Sequence, residues 1–160
     1  MHHRAAAAGV GRARAERAMR RAQILAVGRL RDAGLRAACD DYYRRCSGWL
    51  RVSERELRDL PAAARAIPDR ARAVLVALDE RGQQLTSRQF ADQLRGWVAG
   101  RELVLLIGGA DGLDDPLRRR ADELLSLGRM TFAHRHVRLL LAEQLYRAVS
   151  IIEGTPYHRG

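Results

Sequence analysis

Two short runs, Ala73–Leu78 and Glu102–Ile107, are almost wholly apolar. A strand with one wet face alternates apolar and polar side chains, so a near-continuous apolar run is expected where both faces are covered, as in a parallel sheet clad by helices. Ala73–Leu78 is accordingly expected to be a central strand. Around these runs, short β-rich segments alternate with longer helical patterns. Gln23–Gly28 reads as a strand, and Asp32–Cys46 as a helix with Leu35, Ala38, Cys39, Tyr42, Tyr43 and Cys46 on one side. Trp49–Ser53 reads as a second strand and Glu54–Ile67 as a weak helix interrupted by Pro61. Thr86 or Ser87 can cap a helix reaching about Ala99, with Phe90, Leu94, Trp97 and Val98 as its inner stripe. Asp114 or Asp115 can cap another that begins near Pro116. Leu125–Thr131 reads as strand and loop, and the last helix spans about His136 to Ile152. This order predicts an α/β fold, a mainly parallel sheet with helices on both faces.

A chain of 160 residues is one domain of ordinary size. Its formal charge is +10, and all 29 basic residues are arginine. Guanidinium groups pair with phosphate in bidentate fashion and stay charged, so a phosphate-rich partner is favoured. Residues 1–21 hold six arginines against Glu16 alone. They are expected to form a basic, disordered extension, with 22–160 a single domain, although an Arg-rich targeting peptide or an RNA-binding arm has the same composition. Met19 stands just before the first strand, where an original start would lie. The absence of a secretory core or a membrane-length apolar run makes the cytoplasm the expected compartment and leaves no membrane role. Cys39 and Cys46 match no ligand spacing, so reduced, partly buried thiols are expected, with no disulfide and no metal.

Ligands of parallel sheets bind outside the carboxyl ends of the strands. Leu78, Gly108-Gly109 and the Leu127–Ala133 segment all fall at or just after such ends and are expected to converge on one crevice. Glycine lets a backbone approach a ligand closely. The pattern is neither GxGxxG nor a phosphate loop, so a dinucleotide site and a P-loop are both unsupported.

LDERG (Leu78–Gly82), LLIGGADGL (Leu105–Leu113), LSLGRMTFAH (Leu125–His134), VRLLLAEQLYRA (Val137–Ala148) and PYHR (Pro156–Arg159) occur in this order. Together they resemble the SPOUT-class ribosomal RNA large subunit methyltransferase H family, which methylates N3 of a pseudouridine in 23S ribosomal RNA. The resemblance covers about Gln23 to Gly160. It implies a deep C-terminal trefoil knot, an exception to the usual unthreaded topology, together with a homodimer and S-adenosyl-L-methionine held by the knot's loops. Carried over residue by residue, the cofactor would meet Leu78, Gly108, Gly109, Leu127, Gly128, Arg129, Met130, Thr131, Phe132 and Ala133. Loop backbone would hydrogen-bond its polar ends while Leu78, Leu127, Met130 and Phe132 enclose its apolar faces.

His134 and the tail residues Tyr157, His158 and Arg159 are then the candidates for the reacting base. His158 or His134 can accept the N3 proton, and Arg159 can bind phosphate or the developing uracil anion. Glu143 and Arg147 have the i,i+4 spacing of an ion pair that steadies the helix or the dimer. Arg138 faces either RNA backbone or an interface. The chain departs from the family at Ala133 and Thr155, where proline and histidine are usual, and its Val52–Ala73 stretch is short for the family. Two alternatives share the fold: a SPOUT enzyme acting on another RNA nucleotide, and a non-catalytic ribosome-binding protein. Outside residues 1–21 the charge is only +5, which favours an assembled ribosome over bare RNA, because few phosphate contacts are available.

Overall fold

Five parallel strands lie in the order β2-β1-β4-β3-β5 in the computed structural model, which describes residues 20–159. The expected extension lies, up to residue 19, outside the described residues. In chain order the elements are β1 (Arg21–Val27), α1 (Ala33–Cys46), β2 (Arg51–Leu57), α2 (Leu60–Ala66), β3 (Ala73–Gln84), α3 (Ser87–Trp97), β4 (Glu102–Ile107), α4 (Asp115–Arg120), β5 (Glu123–Ser126) and α5 (His134–Glu153).

The two apolar runs pair directly, Val74 with Leu103 and Val76 with Leu105. Their side chains alternate between two cores. Val74, Val76, Leu103 and Leu105 pack under α1, α3 and α5, whereas Leu75, Ala77, Val104 and Leu106 pack against α2 and α4. Burial on both faces is what their composition predicts. The middle strand, however, is β4, and β3 lies one place from the edge because the short β5 pairs with its outer side. Asp122 fastens that pairing: its Oδ2 accepts from the Leu75 N–H at 2.7 Å, and its own N–H donates to the Leu75 carbonyl.

Local chemistry sets the helix starts. Thr86, rather than Ser87, caps α3 in a reciprocal capping box with Gln89, and Asp114 caps α4. Cys39 and Cys46 are fully buried free thiols on α1, and burial pushes them up to about 11 and about 12 respectively.

Four expected boundaries need correction. Glu54–Leu57 belongs to β2, not to a helix, and Pro61 sits in the first turn of α2 behind the Asp59 cap, where a missing N–H costs nothing. The strand was obscured because Glu54 and Glu56, pointing to the α1 and α5 side, carry charge where apolar residues would be expected. β3 continues past Leu78 through a register shift and pairs again at Gln83 with Leu125. β5 begins at Glu123, so the stretch after Ser126 is all loop, and α5 starts at His134.

At the second pairing of β3 with β5 the backbones nearly touch. A Cβ on Gly82 would lie 2.5 Å from the Leu125 nitrogen. After β5 the chain crosses to the opposite face, and α5 packs against α1 and α3.

Candidate functional site

The carboxyl ends of β3, β4 and β5 open into one cavity of about 950 Å³, lined by residues 78–81, 107–113 and 125–134 with Gln84, Arg118 and Val137. That volume suits a ligand of cofactor size. Leu78, Gly108, Gly109 and every residue from Leu127 to Ala133 line it, and so does His134.

The β4 turn is tight. Gly109 and Gly112 form an antiparallel bridge, with the Gly112 N–H donating to the Gly109 carbonyl at 2.9 Å. A Cβ on Gly108 would meet Gly112 backbone at 2.7 Å, so only glycine fits there. The third loop is tied at its root, where buried Ser126 donates from Oγ to the Gly128 carbonyl and accepts the Gly128 N–H. Beyond that root the loop opens outward: Met130 is 78% exposed and Phe132 39% exposed, so these two form the lip of the cavity rather than its floor.

Sequence reasoning missed an ion pair in the cavity wall. The Asp79 side chain, 4% exposed, accepts Arg118 Nε at 2.6 Å and the Arg81 N–H at 2.9 Å, and Arg118 also reaches Asp115. Burial alone would raise the Asp79 carboxyl, but the Arg118 hydrogen bond, the Arg81 N–H and the arginine charges outweigh it and hold the group below its ordinary range. The pair ties the irregular middle of β3, at its register shift, to the helix after β4. Only the LDERG motif hinted at it.

Arg138 contacts neither solvent nor an open surface. Its guanidinium, 1% exposed, donates to Glu56 at 2.5 Å, to Glu54 at 3.4 Å and to the Gly28 carbonyl. Arg36 of α1 completes the cluster with Glu54 and Glu56, and Tyr43 donates to Glu54 at 3.3 Å. Burial opposes ionisation of Glu56, but the Arg138 bond, the Leu30 N–H and the two arginine charges prevail and lower its pKa. Two carboxylates and two guanidiniums thus pin the first turns of α5 to the ends of β1 and β2. An arginine in this network is unavailable to RNA phosphate.

The tail does not reach the cavity of its own chain. Gly154 turns it back in the left-handed conformation, φ 72°, and the Tyr157 ring packs tilted against that of Tyr146, with centroids 4.5 Å apart and planes inclined at 57°. Tyr157 donates to Glu143 at 3.2 Å, Arg147 binds Glu143 through Nε and Nη2, and Arg147 Nη1 lies 3.1 Å from His158 Nδ1. Burial, then hydrogen bonding to Tyr42 and the Glu143 charge, push the Tyr157 phenol up to about 12. Glu143 and Arg147 do pair on the helix, at 2.6 Å. They lie about 9 and about 15 Å along α5 from Val137, the last helical residue in the cavity wall, at 1.5 Å per residue. His134 is thus in the cavity, whereas Tyr157 and His158 are held against Glu143 and Arg147, about half a helix length away, and Arg159 follows them.

Among the described residues no group of three or more His, Cys, Asp or Glu is placed to hold a metal ion, and no helix is long and apolar enough to cross a membrane.

Residues 20–158 match the family model described as "Predicted SPOUT methyltransferase". A protein of Ruegeria pomeroyi named ribosomal RNA large subunit methyltransferase H is 45% identical over 156 residues, spanning 87% of this chain and 99% of the relative. Its namesake from Cereibacter sphaeroides strain KD131 is 47% identical over 151 residues, spanning 86% and 97%. Among solved structures, a probable methyltransferase of Bordetella pertussis superposes with a TM-score of 0.55 at 12% identity, over 86% of this chain and 99% of that one. A probable methylase family protein of Haemophilus influenzae superposes with a TM-score of 0.54 at 9% identity, over 88% and 70%.

Proposed function

The chain belongs to the SPOUT methyltransferase family, and on that premise we propose that it methylates large-subunit ribosomal RNA with S-adenosylmethionine, at N3 of a pseudouridine. The observation that carries this reading is the convergence of three separate segments, Leu78–Arg81, Ile107–Leu113 and Leu125–His134, on one cavity of cofactor size. The lining fits S-adenosylmethionine. Leu78 and Leu127 offer apolar walls, the 108–112 turn and the 128–133 loop offer backbone donors and acceptors, and Met130 and Phe132 at the lip can close over a ligand.

When bound, the cofactor supplies a methyl group already activated on a sulfonium. The protein's part is to hold the nucleophile in line, exclude water and favour loss of the N3 proton. His134 stands in the cavity wall for that work. The tail residues Tyr157, His158 and Arg159 can join it only from a second copy, because their own helix holds them away from their own cavity. This separation supports a homodimer in which the tail of one copy completes the cavity of the other.

The close approach of β3 to β5 at Gly82, together with the return of α5 to the opposite face, supports a C-terminal trefoil knot. The modest charge outside residues 1–21 supports an assembled ribosome as substrate. The test compares free RNA, large subunits and whole ribosomes as methyl acceptors, with the product located by mass spectrometry. A new methyl on a pseudouridine in subunits or ribosomes supports the reading. Methylation of free RNA alone, of another nucleotide, or no binding of S-adenosylmethionine by calorimetry would each refute its corresponding part.

A further inference from the structure

The contact between Arg147 and His158 fixes which ring nitrogen of His158 carries the proton. A guanidinium has donors on every nitrogen and no acceptor. Arg147 Nη1 at 3.1 Å from His158 Nδ1 is therefore the donor, and Nδ1 contributes its lone pair. The arginine has little freedom to do otherwise. Its Nε and Nη2 are both committed to Glu143 Oε1, at 3.0 and 2.6 Å, and its guanidinium lies 4.9 Å from the centre of the Tyr157 ring. Tyr157 donates to the same carboxylate oxygen, and Glu143 Oε2 is occupied by the Gln144 amide. Glu143 thus orients Arg147, and Arg147 orients the imidazole.

A histidine that serves as a general base is built the other way round. Its Nδ1–H donates to a carboxylate or carbonyl, which leaves the Nε2 lone pair free for the substrate's proton. In this chain the neighbouring group is itself a donor. We infer that His158 meets the substrate through Nε2–H, as a hydrogen-bond donor and not as the proton acceptor, with Glu143 and Arg147 as positioning residues that impose this tautomer.

This rests on the reading of the chain as an N3 methyltransferase, and it gives the tail a defined task. The N3 of a uracil-type ring lies between two carbonyls, and loss of its proton spreads negative charge onto both oxygens. An N–H donor aimed at one of them stabilises that charge. Arg159, next in the chain, offers donors of the same kind. Acceptance of the N3 proton then falls outside His158.

Two measurements decide the matter. In full-length protein labelled with 15N at its five histidines, long-range proton–nitrogen spectra without cofactor or RNA report each ring's tautomer, and H158Q identifies the His158 signals. The expected result is Nε2–H for His158, with this preference lost in R147M, whose folding is checked by thermal unfolding. An Nδ1–H tautomer, or an unchanged spectrum in R147M, overturns the inference. In methyl-transfer assays on ribosomal subunits, H158A is expected to fall by ~10²-fold or more, the usual loss when an anion-stabilising donor is removed. H158Q, which retains an N–H donor but no basic nitrogen, should stay within about tenfold of the parent; equal losses in the two variants would identify a base and overturn the inference. A parent enzyme inactive on every RNA acceptor would instead refute the methyltransferase reading, while the spectra would still decide the tautomer.

Discussion

Replacing Arg138 by methionine should unfold this protein far more readily than loss of one arginine from its surface. In the parent chain, two guanidiniums and two carboxylates balance in a cluster where Arg138 is 1% and Glu54 5% exposed. The substitution leaves Glu54 and Glu56 sharing Arg36, a net negative charge beside the buried Glu54 carboxylate, and it deprives the Gly28 carbonyl of its Arg138 donor. Breaking a buried pair from one side costs about 3–5 kcal/mol. For a domain of this size each kcal/mol lowers Tm by about 2–4 °C, so a fall of about 6–20 °C is expected. Adding E56Q removes the surplus charge and should return about 1–3 kcal/mol, a coupling of the size found within charge networks. The acid side provides a second check. Because the folded Glu56 carboxyl is held below its ordinary value, its contribution is complete above the unfolded carboxylate pKa, about 4.3, and is lost as pH falls through the lower folded value. In R138M that acid-side loss should shrink. Urea unfolding of the parent, both single variants and the double variant at pH 7, with thermal scans down to pH 3, measures all of this. Destabilisation by R138M of less than about 1 kcal/mol, or strict additivity in the double variant, would refute the reasoning.

G82A should destabilise by at least about 1–3 kcal/mol, because its Cβ meets Leu125 backbone that cannot swing aside, and chemical denaturation measures this directly. G108A should weaken S-adenosylmethionine binding by about tenfold or more, equivalent to about 1.4 kcal/mol, by forcing the 108–112 turn apart; titration calorimetry reads this loss. Cys39 and Cys46, fully buried and with thiols pushed up to about 11 and about 12, should resist a thiol reagent at pH 8 in the folded state and react at once in denaturant.

The parts of the fold legible in the sequence were those whose partners are generic. A run such as Val74–Ala77 needs only apolar neighbours above and below, and helix caps need only the next turn, so both could be read locally. β2 could not. Glu54 and Glu56 point toward a core face, and what makes this tolerable is Arg138, more than 80 residues on. Arg138 was opaque for the same reason, since a lone arginine on a helix otherwise reads as solvent-facing. Placing the cavity residues needed only strand ends and small-residue turns, whereas the Asp79–Arg118 pair depends on how the register shift inside β3 turns Asp79 toward α4. The position of the tail turns on Gly154, whose left-handed geometry reverses the chain, and no spacing in PYHR announces that reversal.

Helix α5 spans 20 residues, about 30 Å, with the cavity at its first turn and the tail folded back on it at Glu143–Arg147. Its one buried charged anchor, Arg138, sits in the second turn, close to the cavity end. Measured from that anchor, the helix has a short arm of four residues to His134 and a long arm of nine to Arg147. A tilt of about 5° about that anchor moves His134, about 6 Å away, by about 0.5 Å and Arg147, about 13 Å away, by about 1 Å. Displacements of that size cost a catalytic group about a hundredfold in rate. Substitutions far from either end, at the contacts of α5 with α1 and α3, should therefore register more strongly at the tail than in the cavity.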